Sequence, residues 1–176
     1  RNAWAALHGV DGPSPVKAAT LARPDPEWMT IKAVGKNRVG SYLCLWGDPS
    51  HRDISGEWFS PRTEELTGIF DSVGRVPAIY HHAMDGAMKS LVIGVVDKME
   101  KDDVGLWIEA QIQRHAEYQK FIAPLIDRKV LGWSSGTLPM ARQVNKSTGE
   151  ITRWPIVEAS MTPQPAPGAR LESART

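Results

Sequence analysis

Lys101-Asp102-Asp103, followed shortly by Leu106-Trp107-Ile108-Glu109-Ala110-Gln111-Ile112, decides how the fold is read. Leu106, Ile108, Ala110 and Ile112 alternate with the rest, which is the period of a strand with one buried face. The charged triplet suits a hairpin turn, joining this strand (Val104 to Ile112) to the apolar run from Leu91 to Met99. Outward toward the N-terminus, Val39 to Trp46 and Val76 to Tyr80 read as further strands. Toward the C-terminus, Trp133 to Val144 and Glu150 to Met161 flank Asn145-Lys146-Ser147-Thr148-Gly149, a typical hairpin loop. The period changes once. From Glu117 to Val130, Phe121 and Leu125, with Ile122 and Ile126, fall at helical spacing. Pro124 must kink or start a helix there, and Gly132 is expected to close it. Many strands with one or two helices predict a mainly β domain with peripheral helices (α+β), built as a closed or nearly closed antiparallel β-barrel.

The 176 residues hold one such domain. It is expected over 30–161, between an N-terminal arm or leader (1–29) and a Pro-rich tail or linker (162–176). The arm carries Pro13, Pro15, Pro24 and Pro26 without a sustained period, and the tail carries Pro163, Pro165 and Pro167. Position 1 is Arg rather than Met, so a fragment or processed product is expected. Lys plus Arg (21) nearly balances Asp plus Glu (20), for a net charge of +1. That argues against a nucleic-acid partner, which calls for a clustered basic face. No apolar run approaches the ~20 residues of a membrane helix, and no secretory signal opens the chain. Cys44 is the only cysteine, in the apolar run Tyr42 to Trp46. It reads as a small core side chain in a reducing cytoplasm, and it leaves neither a disulfide nor a Cys-based zinc site. Trp46, Trp107 and Trp133 fall in strands and are expected in the core.

Three places can carry chemistry. His81-His82 follows directly on the strand Val76 to Tyr80, and a histidine at a strand end is well placed as a general base. Adjacent strand residues face opposite sides, so only one of the pair can enter a given site. Ser134-Ser135-Gly136 opens a later strand, where a serine could be a nucleophile beside backbone N–H groups. Glu158 lies in Ile156-Val157-Glu158-Ala159-Ser160-Met161, where alternation puts it on one face with Ile156 and Ser160. A carboxylate in an apolar strand wants a partner: Arg153 or Lys129 in a plain fold, or a histidine in a triad. His115, Asp85, Asp97, Asp102 and Asp103 are the remaining polar candidates. A zinc site from His81, His82 and Asp85 is a minor reading, and no HExxH spacing supports it.

In order and spacing, several segments resemble the prohead (capsid maturation) proteases of tailed phages, distant relatives of the herpesvirus maturation proteases. Gly40-Ser41-Tyr42-Leu43 and the acidic loop from Asp53 to Phe59 look like the family's opening strand and loop. Ile79-Tyr80-His81-His82, Ile93-Gly94-Val95 and Gly105-Leu106-Trp107-Ile108-Glu109 look like its central strands. Gly132-Trp133-Ser134-Ser135-Gly136 is similar to its serine motif, and Glu158-Ala159-Ser160 before Pro165-Ala166 to its close. The likeness covers roughly residues 30 to 170.

The resemblance implies Ser134 as nucleophile, His82 as base and Glu158 as the third member. Ser135 and His81 stand as the alternatives, and the N–H groups of Ser135 and Gly136 as the oxyanion hole. It also implies a barrel of the herpesvirus-protease type, self-association, no cofactor and no metal. Its substrates would be scaffolding protein, the major capsid precursor and the chain itself, cleaved inside the assembling prohead in the bacterial host cytoplasm. The alternative of another class is a non-catalytic capsid-assembly or scaffold-docking module that keeps the barrel.

Overall fold

The computed structural model describes residues 30–53, 55–65, 72, 74–86, 91–113, 116 and 118–163. The arm 1–29, His115, Pro165 and Pro167 lie outside them. Among the described residues the strands are β1 (Lys32–Gly35), β2 (Arg38–Leu45), β3 (Trp58–Glu64), β4 (Val76–Tyr80) and β5 (Val92–Lys101), then β6 (Gly105–Ile112), β7 (Leu131–Thr137), β8 (Gln143–Val144), β9 (Glu150–Arg153) and β10 (Ile156–Pro163). Seven form one sheet in the order β1-β2-β6-β5-β4-β10-β7, and three form a second, β3-β9-β8. No helix among the described residues is long and apolar enough to cross a membrane.

The β5–β6 hairpin forms where the sequence places it. Asp102 makes the turn: its Oδ1 accepts the amides of Val104 (2.7 Å) and Gly105 (2.9 Å). Beyond it Leu106, Ile108, Ala110 and Ile112 are buried while Trp107, Glu109 and Gln111 are half-buried. The buried face packs with Leu43, Cys44, Val76, Ile93, Trp133 and Met161 in one core. Trp133 is core as expected, whereas Trp46 and Trp107 are only half-buried. Trp107 lies on the outer face of β6, edge-on to Tyr42 at 5.3 Å between ring centroids.

Several expectations need correction. The large sheet is a curled half-barrel, open rather than closed. Among the described residues its edges meet at a single bridge, Thr30 to Gly132, with the Ile31 N–H donating to the Leu131 carbonyl at 2.9 Å. The chain then turns away from β7 to pair Lys32 with Gly40 on β2, so among the described residues no ladder closes the seam. Nor is the sheet antiparallel throughout, because β10 runs parallel to β4.

The expected helix is shorter, a wide turn at Tyr118–Ile122 running into α1 (Ala123–Asp127). Pro124 sits in the first turn of α1, where a missing N–H costs nothing. Lys129, left-handed at φ 56, follows the helix end, while Gly132 lies inside β7 opposite Thr162. The single strand expected over Trp133 to Val144 divides at a turn in which the Ala141 and Arg142 amides donate to the Leu138 carbonyl. The strand expected from Glu150 divides at Trp154-Pro155, and its second half, β10, runs on to Pro163 rather than ending at Met161. Pro163 is tolerated at that end because its position opposite Leu131 needs no N–H in the ladder.

Outside the core, Arg38 Nε donates to Glu109 Oε2 at 2.7 Å and Lys98 Nζ to Oε1 at 3.0 Å. These bonds, Arg38's first, hold the Glu109 carboxyl down at about 2. A depressed carboxylate stabilises the folded state above its unfolded value of ~4.3 and loses that contribution as pH falls toward about 2. Glu109→Gln should therefore flatten acid destabilisation across that window, as read by urea midpoints at successive pH values.

Candidate active site

Three strands deliver the site, and their register does the positioning. β7 and β10 are antiparallel, with Ser134 opposite Ser160 and Gly136 opposite Glu158. β4 lies parallel on the other side of β10, with Tyr80 opposite Met161, so the residues just after β4 arrive beside Ser160. A bulge in β10 between Ile156 and Glu158 breaks simple alternation. Ile156, expected to share a face with Glu158, is instead buried in the core, and Glu158 turns with Ser160 to the opposite face. Without that extra residue Glu158 would point into the hydrophobic interior.

The side chains then meet. His82 Nε2 lies 2.8 Å from Ser134 Oγ, and His82 Nδ1 lies 2.6 Å from Glu158 Oε1. A carboxylate only accepts, so Nδ1 carries the proton and Nε2 is left to accept from the Ser134 hydroxyl. Ser134 is 2% exposed, and the His82 and Glu158 side chains 17% and 15%. Little water competes for these bonds, which strengthens them.

His81 and His82 follow directly on β4, as expected, but in a turn rather than as extended residues with alternating faces. His81, His82 and Ala83 all take left-handed backbone angles, φ 47, 52 and 58. Such geometry costs a side-chain-bearing residue ~1–2 kcal/mol, so three in succession persist only where the surroundings fix them. Two bonds do so. Met84 N–H donates to the His81 carbonyl at 2.9 Å, and His82 N–H donates to Ser160 Oγ at 2.9 Å. The Ser160 hydroxyl in turn donates to Glu158 Oε2 at 2.8 Å.

The alternatives are separated by the same geometry. His81 turns toward Tyr80, with ring centroids 6.0 Å apart, and its Nδ1 is buried without a hydrogen-bond partner among the described residues. Ser135 faces the core, where its Oγ accepts from Trp154 Nε1 at 2.9 Å. Arg142 lies over that Trp154 ring at 5.7 Å and is ion-paired to Glu57 at 2.5 Å. Glu158 takes neither Arg153 nor Lys129 as partner. Asp97 pairs with Arg38 at the surface, and Asp102 serves the hairpin turn. Among the described residues no group of three His, Cys, Asp or Glu is placed to hold a metal.

Gly136 has a different role from the one expected. A Cβ on it would overlap Glu158 Oε1 and stand 2.5 Å from its Cδ. The glycine is space for the carboxylate. Its amide also faces β10. Leu131 turns its carbonyl outward to Ile31, and alternation along the ladder turns Ser135 outward and Gly136 inward. Of the two expected oxyanion donors, the Ser135 N–H is the one directed away from β10.

No family model matches this chain, and neither a curated protein nor a solved structure does. Ser134, His82 and Glu158, which the geometry brings together, were candidates in the sequence, whereas Ser160 had no role there. A serine two residues after the carboxylate, on its face of the strand, was the available signal.

Proposed function

We propose that this protein is a serine endopeptidase in which Ser134 is the nucleophile, His82 the general base and Glu158 the group that orients and stabilises the imidazolium. One observation carries this reading: the unbroken series Ser134 Oγ, His82 Nε2, His82 Nδ1, Glu158 Oε1, with links of 2.8 and 2.6 Å. Its three members come from β7, from β10 and from the turn after β4, and a purely structural use would not require a buried serine on the free nitrogen of a carboxylate-held histidine. Triads are recognised by such geometry rather than by chain order.

The chemistry follows from the bonds. His82 Nε2 takes the hydroxyl proton as Ser134 Oγ attacks a backbone carbonyl. Glu158 remains ionised and balances the charge on the ring. The oxyanion draws on the outward N–H of Ser135, a donor type worth ~3–4 kcal/mol in the transition state. His82 then passes its proton to the leaving amine, and water, deprotonated by the same nitrogen, hydrolyses the acyl-enzyme.

The finer reading rests on the resemblance of residues 30 to 170 to phage prohead proteases. On it the substrates are scaffolding protein, capsid precursor and the chain itself, cut by self-associated copies inside the prohead in the bacterial host cytoplasm. The fold would then be an opened version of the herpesvirus-protease barrel. Mapping new N-termini after incubation with unfolded proteins tests the enzyme class. New termini are expected with wild type and none with Ser134→Ala, and equal termini with both would overturn the reading. Co-expression with scaffold and capsid precursor tests the finer one in the same way.

A further inference from the structure

We infer that Ser160 is a positioning residue of this site, a hydroxyl clamp that holds the base and the acid in one geometry. It rests on the protease reading above and adds a fourth member to it.

Ser160 is fully buried, on the face of β10 that carries Glu158. It lies opposite Ser134 on β7 and opposite Ile79 on β4, so it is central to all three strands of the site. Its hydroxyl is used in both directions. As acceptor it takes a hydrogen bond from the His82 backbone N–H at 2.9 Å, and as donor its O–H bonds Glu158 Oε2 at 2.8 Å. One oxygen atom thus ties the backbone of the base to the free oxygen of the acid, whose other oxygen holds the base's ring.

The closed loop of bonds solves two problems that neither partner solves alone. His81, His82 and Ala83 are left-handed without a glycine among them, so the turn needs an external anchor at its centre. Glu158, with one oxygen committed to Nδ1, could still rotate about its terminal bond, and a second bond at Oε2 removes that freedom. A serine is the smallest side chain that both accepts and donates from one atom. Alanine would leave the His82 amide unpaired and the carboxylate free to turn, while changing the packed volume by one atom.

The test compares wild type with Ser160→Ala by three readouts. The first is the rate at which a fluorophosphonate labels Ser134. The second is the low-field proton resonance of the bond between His82 Nδ1 and Glu158. The third, on wild type alone, is hydrogen exchange at the His82 amide. Ser160→Ala is expected to melt as a folded protein, to label about 10–100-fold more slowly, and to lose or broaden the low-field resonance. The His82 amide of wild type is expected to exchange far more slowly than an open turn. An unchanged labelling rate with an unchanged resonance overturns the clamp, as does a rapidly exchanging His82 amide even if the variant cannot be obtained folded. If wild type itself is not labelled, the protease reading falls. The resonance and the exchange rate still decide the clamp.

Discussion

Ser134→Ala should lower peptide-bond hydrolysis by at least about 10⁴-fold, toward what binding and an oxyanion donor retain without a nucleophile. The fold should survive, because the change removes one oxygen, bonded to His82. Ser135→Ala is the informative comparison. That hydroxyl lies on the core side of β7, where it accepts from Trp154 Nε1 at 2.9 Å. Its loss should leave the catalytic step largely intact and lower stability instead, by ~1–3 kcal/mol for a buried donor left unpaired. The two adjacent serines are therefore expected to separate, one affecting rate and the other the melting midpoint. Parallel kinetic and thermal measurements on the two variants check this, and a rate loss confined to Ser135→Ala would contradict it.

Gly136→Ala should have the next largest effect, although no reacting atom lies on that residue. The added methyl would occupy the place of Glu158 Oε1, the oxygen bonded to His82 Nδ1, and would reach 2.5 Å from Cδ. The backbone of β7 is paired with β10 at this point and cannot easily retreat. The carboxylate must swing off the imidazole, which leaves the ring free to take the wrong tautomer. Displacing the acid of a triad costs about 10⁴-fold in rate, and overpacking typically costs about 1–3 kcal/mol of stability. Kinetics and denaturation of Gly136→Ala read both quantities. Activity at the wild-type level would mean that Glu158 does not orient the base.

The fold was legible where local chemistry and tertiary context agree. β6 follows from its alternation and the β5–β6 turn from Asp102, because each needs only neighbouring residues. The half-barrel's open seam was not legible, since it depends on where the chain goes after Ile31 touches Leu131. The helix end was misplaced because Gly132, a familiar helix stop, is used inside β7 opposite Thr162. β1 and β3 gave little signal: β1 is exposed along its length, and β3 has Pro61 and Arg62 facing outward in mid-strand.

At the site the residue types were legible but the reasons were not. The pair His81-His82 was expected to divide across a strand, yet a left-handed turn does the dividing, and nothing in His-His-Ala announces such a turn. Glu158 was placed on a face with Ile156, and the bulge at Val157 reversed that relation. Bulges, positive φ at ordinary residues and cross-strand contacts such as Gly136 with Glu158 depend on partners far away in sequence. They are the features that position the chemistry, so a single sequence gives the participants more readily than their arrangement.

Ser134 as the nucleophile is tested most directly by peptide mapping of the wild-type protein after reaction with a fluorophosphonate. One phosphonyl adduct is expected, on Ser134 Oγ, formed only while His82 is present to take the proton and absent in His82→Gln. An adduct on Ser135, an adduct unaffected by His82→Gln, or no adduct at all would contradict it.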